Sequence, residues 1–324
     1  MYDVITVGSS TVDVFAKVES ELIKIKTVHQ TDELIAYPCG TKILINNLTF
    51  LTGGGGTNTA VSFARLGLKT AYLGKIGNDS NSKLILNMLK KENIAFVGKK
   101  SKGVSGYSII LDSLESDRTI LTYKGVNNTL KFNDVNRNKI KTKWFYFSSM
   151  MGKSFETLEK LAGLAASKNI KVAFNPSNYL AEKGYLYLRE VLSRTTALIL
   201  NKEEAMLIAG NHRIQDLINR LMNFGPEIVV ITDGKRGAYT LYNKKLIKIL
   251  PNDIKCIEST GAGDAFASTF IAGIIRKKGV YTSMKMALLN AESVIQHQGA
   301  KNGLLKNRGL MTLLKKNPPK IRKI

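Results

Sequence analysis

The stretch CIESTGAGDAFASTFIAGIIRKKG, Cys256 to Gly279, sets Gly-Ala-Gly-Asp at Gly261 to Asp264 in front of what is otherwise an apolar helix. Glycine costs roughly 0.5–1 kcal/mol inside a helix and is useful where backbone must approach a ligand, so Gly261 and Gly263 look positional. From Ala265 onward the residues are small or apolar, with Phe266, Phe270 and Ile274 at helical spacing. This predicts a helix that starts near the glycines and carries Asp264 in its first turn. Such a start exposes unpaired N–H groups and the positive end of the dipole, which together suit a phosphate. Asp264 can also do no more than match that dipole.

Outward from this helix the chain alternates. Tyr2 to Val7 is a short apolar run ending at Gly8, the pattern of a buried strand and a turn. A helix over Asn58 to Leu66 closes at Gly67. Strands at Thr70–Leu73, Trp144–Phe147, Lys171–Phe174, Ala197–Leu200 and Glu227–Thr232 are interleaved with helices at Ser82–Lys91, Phe155–Ser167 and after Asn201. The alternation predicts an α/β fold with a parallel sheet covered on both faces. Two segments break it, Phe15 to Phe50 and Ser105 to Tyr123; the second reads as two short strands, SGYSIIL and RTILTY, around DSLESD. Strands without crossover helices predict a small antiparallel sheet, a lid that excludes water from a reactive intermediate.

Composition narrows the function classes. With 324 residues, 44% hydrophobic and 23% charged, the chain can bury one large core or two modest ones. No apolar run approaches the roughly 18 residues of a membrane span, and MYDVITVGSS lacks a signal-peptide pattern, so a cytoplasmic protein without a membrane partner is expected. Cys39 and Cys256 are too few for a disulfide framework or a zinc site. The net charge of +23 comes from 48 Lys and Arg against 25 Asp and Glu. A positive field would attract nucleic acid or a phosphorylated small molecule, but basic tracts interleaved with aromatics are missing, so the charge reads instead as a solvated basic surface with no nucleic-acid partner.

Several constellations can carry chemistry. GGGGTN, Gly53 to Asn58, allows close backbone approach, and Asn58 offers a donor and an acceptor to something rich in hydroxyls; a flexible loop is the plainer alternative. Asp13 follows the first strand, at the carboxyl end where open α/β sheets bind ligands, and can accept hydrogen bonds from vicinal hydroxyls. Asn201 and Glu204, in LILNKEEA, open a helix after a strand. A carboxylate there, Glu204 or the equally near Glu203, can hold Mg²⁺ or simply cap the helix with Asn201. ITDGKRGAYTLY, Ile231 to Tyr242, reads as strand, glycine turn and strand, with Thr232 to Gly237 touching a nucleotide or making a plain hairpin. No GxxxxGK pattern followed by Ser or Thr is present.

Taken in this order, the pieces resemble the ribokinase-like (PfkB) family of carbohydrate and nucleoside kinases. GGGGTN looks like its GGxxxN signature, ESTGAGDAF, Glu258 to Phe266, like its DTxGAGD signature, and NKEE like its NxxE motif. LLNAESVIQHQGA near the end extends the likeness over nearly the whole chain. The resemblance implies a three-layer α/β/α core of residues 1–14, 51–104 and 124–324, with a mostly parallel central sheet, and a β-lid of residues 15–50 and 105–123. It implies ATP and Mg²⁺, with Asp264 as general base and the Gly261, Ala262 and Gly263 amides holding the γ-phosphoryl group. Asp13, Gly53, Gly54 and Asn58 would grip the acceptor, while Asn201, Thr232, Gly234, Gly237 and Asn290 would meet the nucleotide and Glu204 the metal. Glu258 and Ser259 stand where the family has Asp and Thr beside a monovalent-cation site, which puts K⁺ activation in doubt. The implied acceptor is a sugar. Tyr37, Tyr107 and Tyr123 keep a nucleoside open, a sugar phosphate is a further alternative, and a silent sugar or nucleotide sensor is the rival from another class. A homodimer through the lid is also expected, since the lid would otherwise expose strand edges.

Overall fold

The computed structural model describes residues 1–18, 21–26, 31–112 and 118–323. Its main sheet runs Ala95–Phe96, Thr70–Leu73, Tyr2–Val7, Thr142–Phe147, Lys171–Phe174, Ala197–Asn201, Ile228–Thr232, Ala238–Tyr242, Lys245–Ile249 and Ile321–Lys323. Every pair as far as Ile228–Thr232 is parallel, and the last three strands add as an antiparallel meander. Side chains alternate between the two faces, as the pleat requires. Ile5, Val7, Phe145, Phe147, Leu198 and Leu200 pack on the helices Lys153–Ser167, Gly184–Leu192 and Ile214–Asn223. Val4, Trp144, Tyr146, Ile199 and Val230 pack on the opposite side, against Phe266, Phe270 and Ile271 of the helix Ala262–Ile275. That helix, hereafter the central helix, is buried all round through Ala265–Gly273, which explains its uniformly small and apolar sequence.

The small sheet has the order Arg118–Tyr123, Gly106–Asp112, Thr11–Val18, Ile45–Gly53. Its first strand begins at Thr11 and its second ends at Gly53, so Asp13 belongs to this sheet and not to the core segment 1–14. Nor is it wholly antiparallel: Gly106–Asp112 runs parallel to Thr11–Val18, with Tyr107 opposite Val12 and Ile109 opposite Val14. The physical reason is the long crossover through the core between these strands, which brings the chain back in the same direction. The predicted turn at Ser113 to Asp117 lies outside the described residues.

Candidate active site

A cavity of about 250 Å³ lies between the two sheets. Its floor comes from the ends of Tyr2–Val7 and Thr142–Phe147, through Ser9 and Ser148–Met151. From Tyr2–Val7 the chain goes first to Thr70–Leu73 on one side and later to Thr142–Phe147 on the other, so this is where strand order reverses. Open α/β sheets leave a crevice at such a point. The roof is the inner face of the small sheet, with Thr11, Asp13, Ser108, Ile110, Ile120 and Thr122.

The glycine run is ordered, and each position has its own cause. Gly54 is the N-cap of a helix over Gly55–Arg65 and has φ 90°, so the helix starts at Gly55 and not at Asn58 as the sequence suggests. A Cβ on Gly53 would run into the Asp13 carboxylate, and one on Gly56 would lie 2.7 Å from the Gly8 carbonyl carbon. Glycine is therefore what lets Asp13 and the strand end approach the helix. Thr11 Oγ1 donates to Asp13 Oδ1 at 2.7 Å, fixing one carboxylate oxygen on the cavity wall.

Asn58 sits one turn into this helix. Its Nδ2 donates to Asp264 Oδ2 at 2.8 Å, and its Oδ1 accepts from Lys301 Nζ at 2.6 Å. Its amide is thus committed to protein partners, although Asn58 still lines the cavity. Asp264 comes from the first turn of the central helix, whose N-cap Gly261 has φ 81°. A Cβ at Gly261 would come within 2.7 Å of Ala300 Cα, so glycine is required by conformation and by space. The Ala262 amide donates to Ser259 O at 3.2 Å, which corrects its predicted place in the anion hole: the tight turn uses that donor. Ala265 is the first to bond back, to Gly261 O at 2.8 Å, which leaves the Gly263 and Asp264 amides at the helix start. Burial pushes the Asp264 carboxyl up to about 6, against the Asn58 hydrogen bond and the Lys301 charge. Burial likewise drives the Lys301 ammonium down to about 7, while Asp13 and Asp264 pull it back up.

Among the nucleotide candidates, Asn201 and Thr232 are direct partners at the carboxyl ends of adjacent strands. Gly234 follows in a one-turn 3₁₀ helix, exposed and with open space around it. Gly237 is buried, and a Cβ there would strike the Ile249 carbonyl, so hairpin packing accounts for that glycine. Asn290 is a correction. It is fully buried and does not line the cavity, donating to Thr269 Oγ1 at 2.7 Å and accepting from the Leu305 amide at 2.8 Å, and so ties two helices to a loop.

Glu204, not the exposed Glu203, turns inward. It forms a capping box with Asn201, accepting that amide on Oε2 at 3.0 Å. Burial raises its pKa, with the Glu203 and Asp264 charges adding. Among the described residues no group of three or more His, Cys, Asp or Glu could hold a metal alone. Several contributors lie outside the sequence motifs. Ser148 is buried on the cavity floor with its Oγ unpartnered among the described residues, and Lys124 lines the wall with its Nζ 4.3 Å over the Tyr179 ring. Lys301 shows only as one charge in a small and apolar neighbourhood, GAKNGLL.

The fold sets a crevice between two sheets, a carboxylate within it and a helix start suited to phosphate, an arrangement a phosphotransferase can use. A sequence model of the pfkB family of carbohydrate kinases matches residues 1–307, and the chain belongs to that family. It is a kinase acting on a hydroxyl, of the ATP- and Mg²⁺-dependent kind. It is 28% identical over 252 residues to an uncharacterised sugar kinase of Archaeoglobus fulgidus, covering 75% of this chain and 98% of that one. It is 25% identical to a ribokinase of Staphylococcus aureus, over 83% of this chain and 85% of the other. The fold matches ribokinase from Thermotoga maritima at TM-score 0.82 with 19% identity, covering 97% of this chain and 100% of that one. It matches a nucleoside kinase of Methanocaldococcus jannaschii at 0.79 with 22% identity, covering 97% and 99%. No helix among the described residues is long and apolar enough to cross a membrane.

Proposed function

We propose that the protein transfers the γ-phosphoryl group of ATP to a hydroxyl of a sugar held between the two sheets, with Asp264 as general base. The carrying observation is the Asp264 carboxylate in the cavity wall, held by Asn58 at the start of the central helix. Asp264 takes the proton of the attacking hydroxyl as that oxygen bonds to the γ-phosphorus; the bond from phosphorus to the bridging oxygen breaks, and ADP leaves. The helix-start amides and dipole stabilise charge on the transferred group. Mg²⁺ held between Glu204 and the nucleotide would neutralise the phosphate oxygens. Asn201, Thr232 and Gly234 border the nucleotide, and Asp13 takes the acceptor's hydroxyls. No K⁺ requirement is included, because Glu258 Oε2 accepts the Gly299 amide at 2.7 Å beside the altered motif.

The cavity's size suits a single sugar ring, although the Tyr179 ring also lines it. About 250 Å³ is at the small end for ligand pockets, and Tyr37, Tyr107 and Tyr123 do not line it. One observation supports a charged sugar as second reading. The Lys124 ammonium stands in the wall over the Tyr179 ring and forms none of the ion pairs among the described residues, and burial lowers its pKa while Asp13 opposes this. A phosphate or carboxylate on the acceptor would match it. A coupled ADP-release screen across sugars, nucleosides and their phosphates tests the assignment. Best turnover with a nucleoside would overturn it.

We also propose that the small sheet closes over the cavity as a lid and pairs with a second copy through its outer face. Leu121, Ile109, Val14 and Phe50 form one row across four strands, with Leu121 53%, Ile109 36% and Phe50 55% exposed and Val14 buried between its neighbours. An apolar row of this length on a sheet is a surface that proteins cover.

A further inference from the structure

Lys301 is a buried cation that the proposed reaction does not use. It is 7% exposed, and its Nζ donates to Thr52 O and to Asn58 Oδ1, both at 2.6 Å. The turn that carries it is clamped from behind: Arg65 Nη1 donates to Lys301 O at 2.7 Å and to Leu304 O at 3.1 Å, while its Nη2 pairs with Glu92 at 2.6 Å. A Lys is costly to bury, and this one is held rigidly in place. Its consequence lies one residue further on. An ammonium is donor only, so it forces the Asn58 amide oxygen toward itself. The Asn58 NH₂ group must then point the other way, at Asp264 Oδ2, 2.8 Å distant.

We propose that Lys301 is a positioning residue for phosphoryl transfer, fixing the orientation of Asn58 so that an N–H is always presented to the Asp264 carboxylate. The proposal rests on Asp264 being the base. That relay favours the ionised carboxylate, the form that accepts a proton. Deprotonated Lys301 would keep two donors, enough for Thr52 O and Asn58 Oδ1, but would gain a lone pair, so the amide is held in one orientation most firmly while Lys301 is charged. The groups facing the relay are Asp264, Glu204 and Tyr146 on one side, and Asp13, Arg65 and Glu92 around Lys301. By joining Thr52 of the small sheet to Asn58, the same ammonium also ties the lid strand to the base.

The test is the pH profile of kcat/KM, from pH 5 to 9, for wild type, Lys301→Met and Lys301→Gln, with melting curves on the same preparations. Wild type should lose activity as pH falls through about 6, the value to which Asp264 is raised. In Lys301→Met the cation is lost and Asn58 can turn its oxygen to Asp264. The acid limb should move up by about one unit, so activity falls about tenfold on that limb and recovers toward wild type at higher pH. Lys301→Gln keeps a donor for Asn58 and should move the limb less. A loss equal at every pH, with the limb unmoved in both variants, would show a merely structural role and overturn the proposal. If Lys301→Met does not fold, the Lys301→Gln limb alone decides: a position identical to wild type refutes. Failure of the base assignment looks different, because Asp264→Asn would then keep its turnover whatever Lys301 does.

Discussion

Replacing Asp264 by asparagine separates catalysis from helix capping at one atom. The structure keeps everything else nearly constant. Lys301 holds the Asn58 NH₂ toward residue 264, and the new side chain can meet it with its amide oxygen, so the 2.8 Å contact survives. What disappears is a carboxylate able to take a proton. General-base catalysis typically contributes about 10²–10⁴ in rate, so kcat should fall at least roughly a hundredfold. The stability ledger is small: a charge at a helix N-terminus is worth about 0.3–1 kcal/mol, and removing a carboxyl that burial has raised to about 6 offsets part of it. The melting temperature should therefore shift by no more than about 4 °C. ATP affinity should stay or improve, since a negative charge near the γ-phosphate is gone. The assay is coupled ADP release with the best acceptor, with calorimetry on the same preparation. Retention of more than about a tenth of wild-type turnover would refute the base assignment, and a large melting shift with turnover kept would assign Asp264 to capping.

Three further outcomes are expected. Gly261→Ala forces a side chain into φ 81° against Ala300 and should cost about 1–3 kcal/mol, read as a lower melting temperature; an unchanged one would contradict the left-handed turn. Glu204→Gln keeps an acceptor for the Asn201 amide but removes the charge, so the Mg²⁺ concentration for half-maximal activity should rise at least about tenfold; an unchanged titration would exclude Glu204 as a metal contact. Light scattering at micromolar concentration should show a dimer that Leu121→Lys converts to a monomer, whereas a monomeric wild type would end the lid-pairing proposal.

The parallel core was legible in the sequence because burial on two faces writes itself locally: continuous apolar strands such as ALIL, Ala197–Leu200, and helices of period 3.6 leave little choice of face. The start of the central helix was legible for the same kind of reason, since Gly261 and Asp264 act within a single turn. The small sheet was visible as a break in rhythm, but not its parallel pair, because neighbouring strands 95 residues apart in sequence, such as Val12 and Tyr107, are matched only by the crossover between them. The glycine run shows the boundary well. Its composition signals close approach, yet whether Gly53 makes room for a ligand or for Asp13, and whether the helix begins at Gly55 or Asn58, depends on what packs against it. Asn290 was misassigned because an amide reads alike in sequence whether its partner is a nucleotide or Thr269. Lys301 was missed for the converse reason: it is 243 residues from Asn58, and a lone lysine between Ala300 and Asn302 carries no local sign of burial. Local propensity and periodicity are properties of a few consecutive residues, so the chain itself determined the layers, the helix start and its carboxylate. Hydrogen-bond partners and charge environment are properties of residues brought together across the fold, so only the tertiary structure decided which amide is committed, which carboxylate faces inward and which cation is buried beside the base.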